Sequence, residues 1–164
     1  HTITVVCGRA LTYLPIYFIM DIYAYTIVTP MFRLPQLGGY WTYLAFLTLF
    51  LLTCIFFAMT LSLLVYRRED CILLYVFLSV PMLFLSGIFW PGSNMPVFWE
   101  YFAKLFPSSF GLNGYVRIAS MGCTLSQIRP MITGLAVQCI SYFITTCLLY
   151  HRAIHSKKQI AKSL

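Results

Sequence analysis

Of the 164 residues, 60% are hydrophobic and 9% charged, and the mean hydropathy is +0.83; soluble domains average about 25% charged residues, so a water-soluble fold is excluded. The formal charge of +7 does not point to nucleic acid, because the basic residues sit at the ends of apolar runs and form no face interleaved with exposed aromatics. The chain reads as an integral, multi-pass membrane protein.

The N-terminus, HTITVVCGRAL, has no initiator Met and no ordered signal-peptide regions, which is the pattern expected of a fragment or processed product. The first apolar run, 10–29, meets the length rule of about 20 residues per helical crossing and contains Pro15 and Asp21. Residues 30–39, PMFRLPQLGG, carry two prolines and a Gly pair and read as a turn. The second run, 40–66, has no charge and is longer than a crossing needs, so tilt or an interfacial overhang is expected. A short polar loop, YRRED, follows, and then a third run, 71–90, interrupted by Pro81. Each proline predicts a kink or backbone groups satisfied by a neighbouring helix.

The next stretch, PGSNMPVFWEYFAKLFPSSFGLNGYVRI, is too broken to cross. Between Pro96 and Phe106 a helix rises only about 16 Å, against a hydrocarbon core roughly 30 Å thick. It must enter and turn back, which predicts an external re-entrant hairpin over 91–119. Phe98, Trp99, Phe102, Leu105 and Phe106 recur at helical spacing, with Glu100 and Lys104 as an i,i+4 pair, and Trp99 and Tyr101 suit the headgroup level. After Pro107 a second short helix is expected over 110–119. The last crossing, 131–150, leads into a basic tail, 151–164, suited to anionic lipid.

Lys and Arg set the orientation, since they favour the cytoplasmic flanks of short loops. Arg9, Arg67, Arg68, Arg152, Lys157, Lys158 and Lys162 fall on one side, against Arg33, Lys104, Arg117 and Arg129 on the other. The richer side is the cytoplasm, and the C-terminus lies there. The expected architecture is therefore all-α: four transmembrane helices in one domain spanning 1–164, with the hairpin before the last helix.

Chemistry-bearing motifs are few. The six cysteines show no CxxC and no His/Cys spacing for a metal, and no intramolecular disulfide is expected. His151 and His155 stand at i,i+4 without a third ligand and read as a cytosolic flank. GxxxxGK[ST], GxSxG and HExxH are all missing from the sequence. The chain is expected to bind no ATP, metal or other cofactor and to catalyse nothing, so any energy source must be another subunit.

Leu85-Ser86-Gly87-Ile88-Phe89-Trp90-Pro91, then Asn94-Met95-Pro96, then Leu105-Phe106-Pro107 together resemble the signature of the membrane subunit of ATP-binding-cassette exporters of the second type. In that family the first element ends the penultimate crossing and the rest lies in the external hairpin. Two departures are plain: Ser109-Phe110 replaces the usual Tyr after the second proline, and two further crossings and a coupling helix, which family members carry upstream, are not seen before His1.

The resemblance implies that two permease chains pair, as a homo- or heterodimer, and that cytosolic ATP-binding subunits holding ATP and Mg drive them, in a bacterial inner membrane. It implies that the hairpins gate an export path for an amphiphilic or lipid-like substrate, with Gly87, Pro91, Met95, Pro96, Trp99, Phe102 and Pro107 shaping the gate. Asp21, Glu100, Lys104 and Arg117 are candidate path or substrate contacts. Asp21 is the one acidic residue inside a crossing, where a carboxylate costs about 2.5–3.5 kcal/mol; it faces either the path or dimer seam, or hydrates at the outer interface. Glu100, Lys104 and Arg117 read better as the solvated back of an interfacial helix, and Arg67 to Asp70 as a topology signal. A non-transporting membrane scaffold or assembly protein is the rival reading.

Overall fold

The computed structural model describes residues 2–33, 36–65, 68–85 and 97–160, with backbone alone at Thr2, Arg68, Val97, Glu100, Phe102 and 153–160. Gly87, Pro91, Met95 and Pro96 lie outside the described residues. Among those described, every regular element is a helix: α1 (Thr2–Tyr23), a π-helical turn (Ala24–Val28), α2 (Thr29–Met31), α3 (Tyr40–Leu64), α4 (Arg68–Leu85), α5 (Val97–Ala103), α6 (Pro107–Met121) and α7 (Arg129–Ile160). Among the described residues, three stretches are long and apolar enough to cross a membrane: Ile3–Met31, Tyr40–Leu64 and Arg129–Arg152.

The first crossing starts well before the expected Ala10. Val6 and Ala10 are buried against Ile55 and Phe56 of α3 and Cys139 of α7, so packing carries the helix back to Thr2. At its other end Pro30 has no N–H for the carbonyl four residues earlier, and its ring crowds that position. The helix widens into the π turn there. Thr29 caps the turn with its N–H and Oγ1 on the Ala24 carbonyl, and Gln36 Nε2 donates to the Tyr25 carbonyl at 2.9 Å.

α3 runs as expected, stopping at Leu64 with Val65 extended, and is the central helix. Its tightest partner is α7. Lipid tails are as apolar as Leu, so helices in a bilayer are held by close packing and interhelical polar contacts rather than by a hydrophobic drive. Thr60 and Thr146 meet hydroxyl to hydroxyl at 2.8 Å; one of the two donates across the helices, and the other spends its proton within its own helix, on the Phe56 or the Tyr142 carbonyl. Thr53, fully buried, donates to the Leu49 carbonyl. α1 lies antiparallel to α3, with Tyr25 stacked on Tyr43 at 4.1 Å between ring centres.

α4 opens with Glu69 and Asp70 in its first turn, where carboxylates complement the helix dipole. Tyr75 on α4 donates its hydroxyl to the Ala58 carbonyl of α3. The expected third crossing follows α4 as far as Leu85, and 86–90 lie outside the described residues. The second hairpin leg, expected over 110–119, is longer: α6 starts at Pro107, whose missing N–H is harmless at a first helical position. It ends at Gly122, left-handed at φ 63°. A Cβ on Gly38 would lie 2.4 Å from the Ile118 carbonyl oxygen, and Leu37 N–H bonds the Ala119 carbonyl at 3.0 Å. Only glycine permits that approach, which joins the turn after the first crossing to the top of α6. α7 runs past Tyr150 to Ile160, because HRAIHSKKQI holds no Gly or Pro and several good helix formers.

Candidate functional site

α6 climbs along α3 with glycines on the contact face. Gly111 lies against the Phe50 ring and Gly114 against the Phe46 ring. At the foot of α6, Phe106 meets Phe57 edge-on at 6.0 Å, and Phe57 meets Tyr142 at 5.1 Å. The turn between α5 and α6 thus reaches α7: Gln138 Nε2 donates to the Lys104 carbonyl at 2.6 Å, and the Tyr142 hydroxyl donates to the Leu105 carbonyl. Gln138 and Tyr142 are about 14 and 20 Å along α7 from Arg129.

Leu85 and the Leu105-Phe106-Pro107 element of the sequence signature meet here. Leu85, which begins the LSG element, is buried with Ala103 and Phe106, and Ser109 Oγ donates to the Leu85 carbonyl at 3.0 Å. Pro107 is fully buried beside them.

Between the π turn, the upper half of α3, the end of α4 and the lower half of α6 lies a cavity of about 550 Å³. Asp21, Ala24 and Tyr25 line it from α1 and the π turn, Tyr43, Phe46 and Phe50 from α3, Met82 and Leu83 from α4, and Ser108, Leu112 and Tyr115 from α6. Tyr115 stands edge-on to Tyr43 at 6.0 Å. Asp21 is one helical turn from Tyr25, so the Tyr25–Tyr43 stack puts it about 10 Å along α3 from Tyr40. Ser108 Oγ is buried without a hydrogen-bond partner among the described residues.

Of the candidate contacts from sequence, Asp21 lines this cavity, Lys104 and Arg117 do not, and the Glu100 side chain lies outside the described residues. Arg117 is exposed on α6, and Lys104, also exposed, sets its ammonium over the Tyr101 ring at 5.1 Å from the centre. Trp99 is exposed on α5. Gln36, Thr53, Thr60, Gln138, Tyr142 and Thr146 escaped the sequence reading. Gln138 left a signal there, as the one amide side chain in the run 131–150.

A second cavity, about 490 Å³, lies at the other end of the bundle between Arg9, Tyr13, Tyr17, Cys54, Ser62 and Tyr150, among others. Arg9 sets its guanidinium 6.0 Å from the Tyr150 ring centre. Among the described residues no three of His, Cys, Asp and Glu gather as a metal site.

A family model described as ABC-2 type transporter matches residues 1–119, which takes in α1 to most of α6. No curated protein and no solved structure matches the chain.

Proposed function

The chain belongs to the ABC-2 type transporter family, and from that membership we propose that it is the permease subunit of an ATP-driven exporter, moving an amphiphilic or lipid-like substrate by binding and conformational change. The observation that carries this reading is the α5–α6 turn packed against Phe57, Gln138 and Tyr142. Irregular backbone at membrane depth survives only where protein or a water-filled cavity satisfies it. The Lys104 and Leu105 carbonyls have such partners on α7. A simple anchor has no use for a turn held this way, whereas a short hairpin that packs as a unit can move as one, a known form of alternating access.

In this reading there are four crossings, the third continuing from α4 to Trp90, and 91–119 form the re-entrant outer gate. Gly87, Pro91, Met95, Pro96, Trp99, Phe102 and Pro107 set the gate geometry. Asp21 faces the path, and Glu100, Lys104 and Arg117 meet substrate at the exit. Two permease chains pair, ATP and Mg are bound by cytosolic ATPase subunits, and the tail 151–164 lies on the cytoplasmic face of a bacterial inner membrane against anionic lipid.

The test is purification of the tagged protein from its native gene in mild detergent. A stoichiometric P-loop partner with ATPase activity is expected; a preparation free of ATPase refutes the exporter and favours a scaffold. Pro96→Ala and Gly87→Leu should lower export at unchanged protein amount, and unaltered export in both removes the gate assignment.

A further inference from the structure

We propose that the cavity beside the π turn binds a lipophilic organic cation, an amphiphilic amine or quaternary ammonium, with Asp21 as its counter-charge. The proposal rests on the permease reading only for the step that follows binding. None of the described lining residues is basic, and Asp21 is the one acid among them, so an ionised Asp21 has no counter-charge in these walls. The rings of Tyr25, Tyr43 and Tyr115 also line it, Tyr25 stacked on Tyr43 and Tyr115 edge-on to the same ring. Aromatic faces attract ammonium groups electrostatically and are the recurrent cage for quaternary nitrogen.

The remaining walls fit the other end of such a molecule. Phe46, Leu47, Phe50, Met82 and Leu112 are apolar, and about 550 Å³ lies within the usual small-molecule range of roughly 300–1,000 Å³. Ser108 adds a buried hydroxyl with no partner among the described residues, the kind of polar group that a ligand satisfies. The π turn directly follows Asp21 and Ile22–Tyr23 in the chain, and such turns recur at functional sites. An anionic amphiphile finds no cation in this cavity and meets the repulsion of Asp21.

The test uses the purified protein in phosphatidylcholine nanodiscs, with radiolabelled tetraphenylphosphonium as probe. Tetraphenylborate, equal in shape and opposite in charge, is one competitor and dodecyltrimethylammonium the other. Saturable binding is expected, displaced by the ammonium and not by the borate. Asp21→Asn should weaken it by about tenfold or more, and Asp21→Glu by about threefold or less, because the charge decides the affinity. Ala24→Phe fills the cavity while keeping Asp21, and should abolish binding in a protein with an unchanged melting profile. Absence of saturable binding, equal displacement by borate, or wild-type affinity in Asp21→Asn overturns the site. Binding requires no ATPase, so cation binding without ATP-driven export refutes the exporter and leaves the site standing, while export without cation binding does the reverse.

Discussion

Gly114→Ala puts the packing of α6 on α3 to a direct test. An added Cβ would lie 2.2 Å from Phe46 Cζ and 2.6 Å from Cε2, where carbon contacts favour about 3.5–4.0 Å. Phe46 is 3% exposed and packed among Tyr43, Leu47, Ile128 and Leu135, so its ring can give only toward the cavity it lines, at the expense of that packing, or α6 must lift. Overpacking of this kind costs about 1–3 kcal/mol, and the better helix propensity of Ala returns about 1 kcal/mol. The net expectation is a loss of about 1 kcal/mol. Gly111→Ala is the internal control: its Cβ would meet Phe50 Cε2 at 2.1 Å, but Phe50 is only half-buried and its ring can turn aside, so stability should hold. Equilibrium unfolding in detergent by SDS titration measures both. Phe46→Leu combined with Gly114→Ala should be more stable than the sum of the single changes predicts, by about 1 kcal/mol, because residues in contact couple. Additive losses, or Gly114→Ala as stable as wild type, would refute the packing argument.

Gln138→Leu removes the donor to the exposed Lys104 carbonyl, a hydrogen bond worth about 0.5–1.5 kcal/mol; the same unfolding titration should record that loss, and a stability equal to wild type would contradict the hold of α7 on the α5–α6 turn. Thr60→Val breaks the hydroxyl contact with Thr146, worth about 0.6 kcal/mol on average for such bonds in membranes. A double-mutant cycle with Thr146→Val that yields no coupling would dismiss it. All six cysteines are free, so thiol titration of unreduced, denatured protein should count six; a lower count would reveal a disulfide. Gly122→Ala forces a Cβ into a left-handed position at φ 63° and 3.1 Å from the Leu37 carbonyl oxygen, at a cost of about 1–2 kcal/mol, read as a lowered melting temperature.

Much of the framework was legible because lipid makes it so. A bilayer leaves helices as the economical way to satisfy backbone groups across long apolar runs, and run lengths near 20 residues located the crossings at 40–66 and 131–150 closely. Element ends were less legible. The start of α1 depends on Val6 and Ala10 finding α3 and α7, a long-range contact that local apolarity does not reveal. The extension of α7 beyond Tyr150 was readable as propensity, but the charge of the tail drew attention first. Asp21 stood out for its charge alone; that it shares a cavity with Tyr115 and Ser108, far along the chain, depends on α6 folding back over α3.

Composition and periodicity by themselves determined that this is a helical membrane protein and where its long apolar runs lie, since those follow from counting apolar residues against bilayer thickness. The tertiary structure alone decided which polar groups meet. The Thr60–Thr146 contact, the hold of Gln138 and Tyr142 on the α5–α6 turn, and the glycine face of α6 all join residues at least 24 positions apart in the chain, as does Ser109 with Leu85. In a bilayer, helix pairing is selected by shape and by a few hydrogen bonds rather than by hydrophobicity, and a pattern of apolar residues carries no record of either.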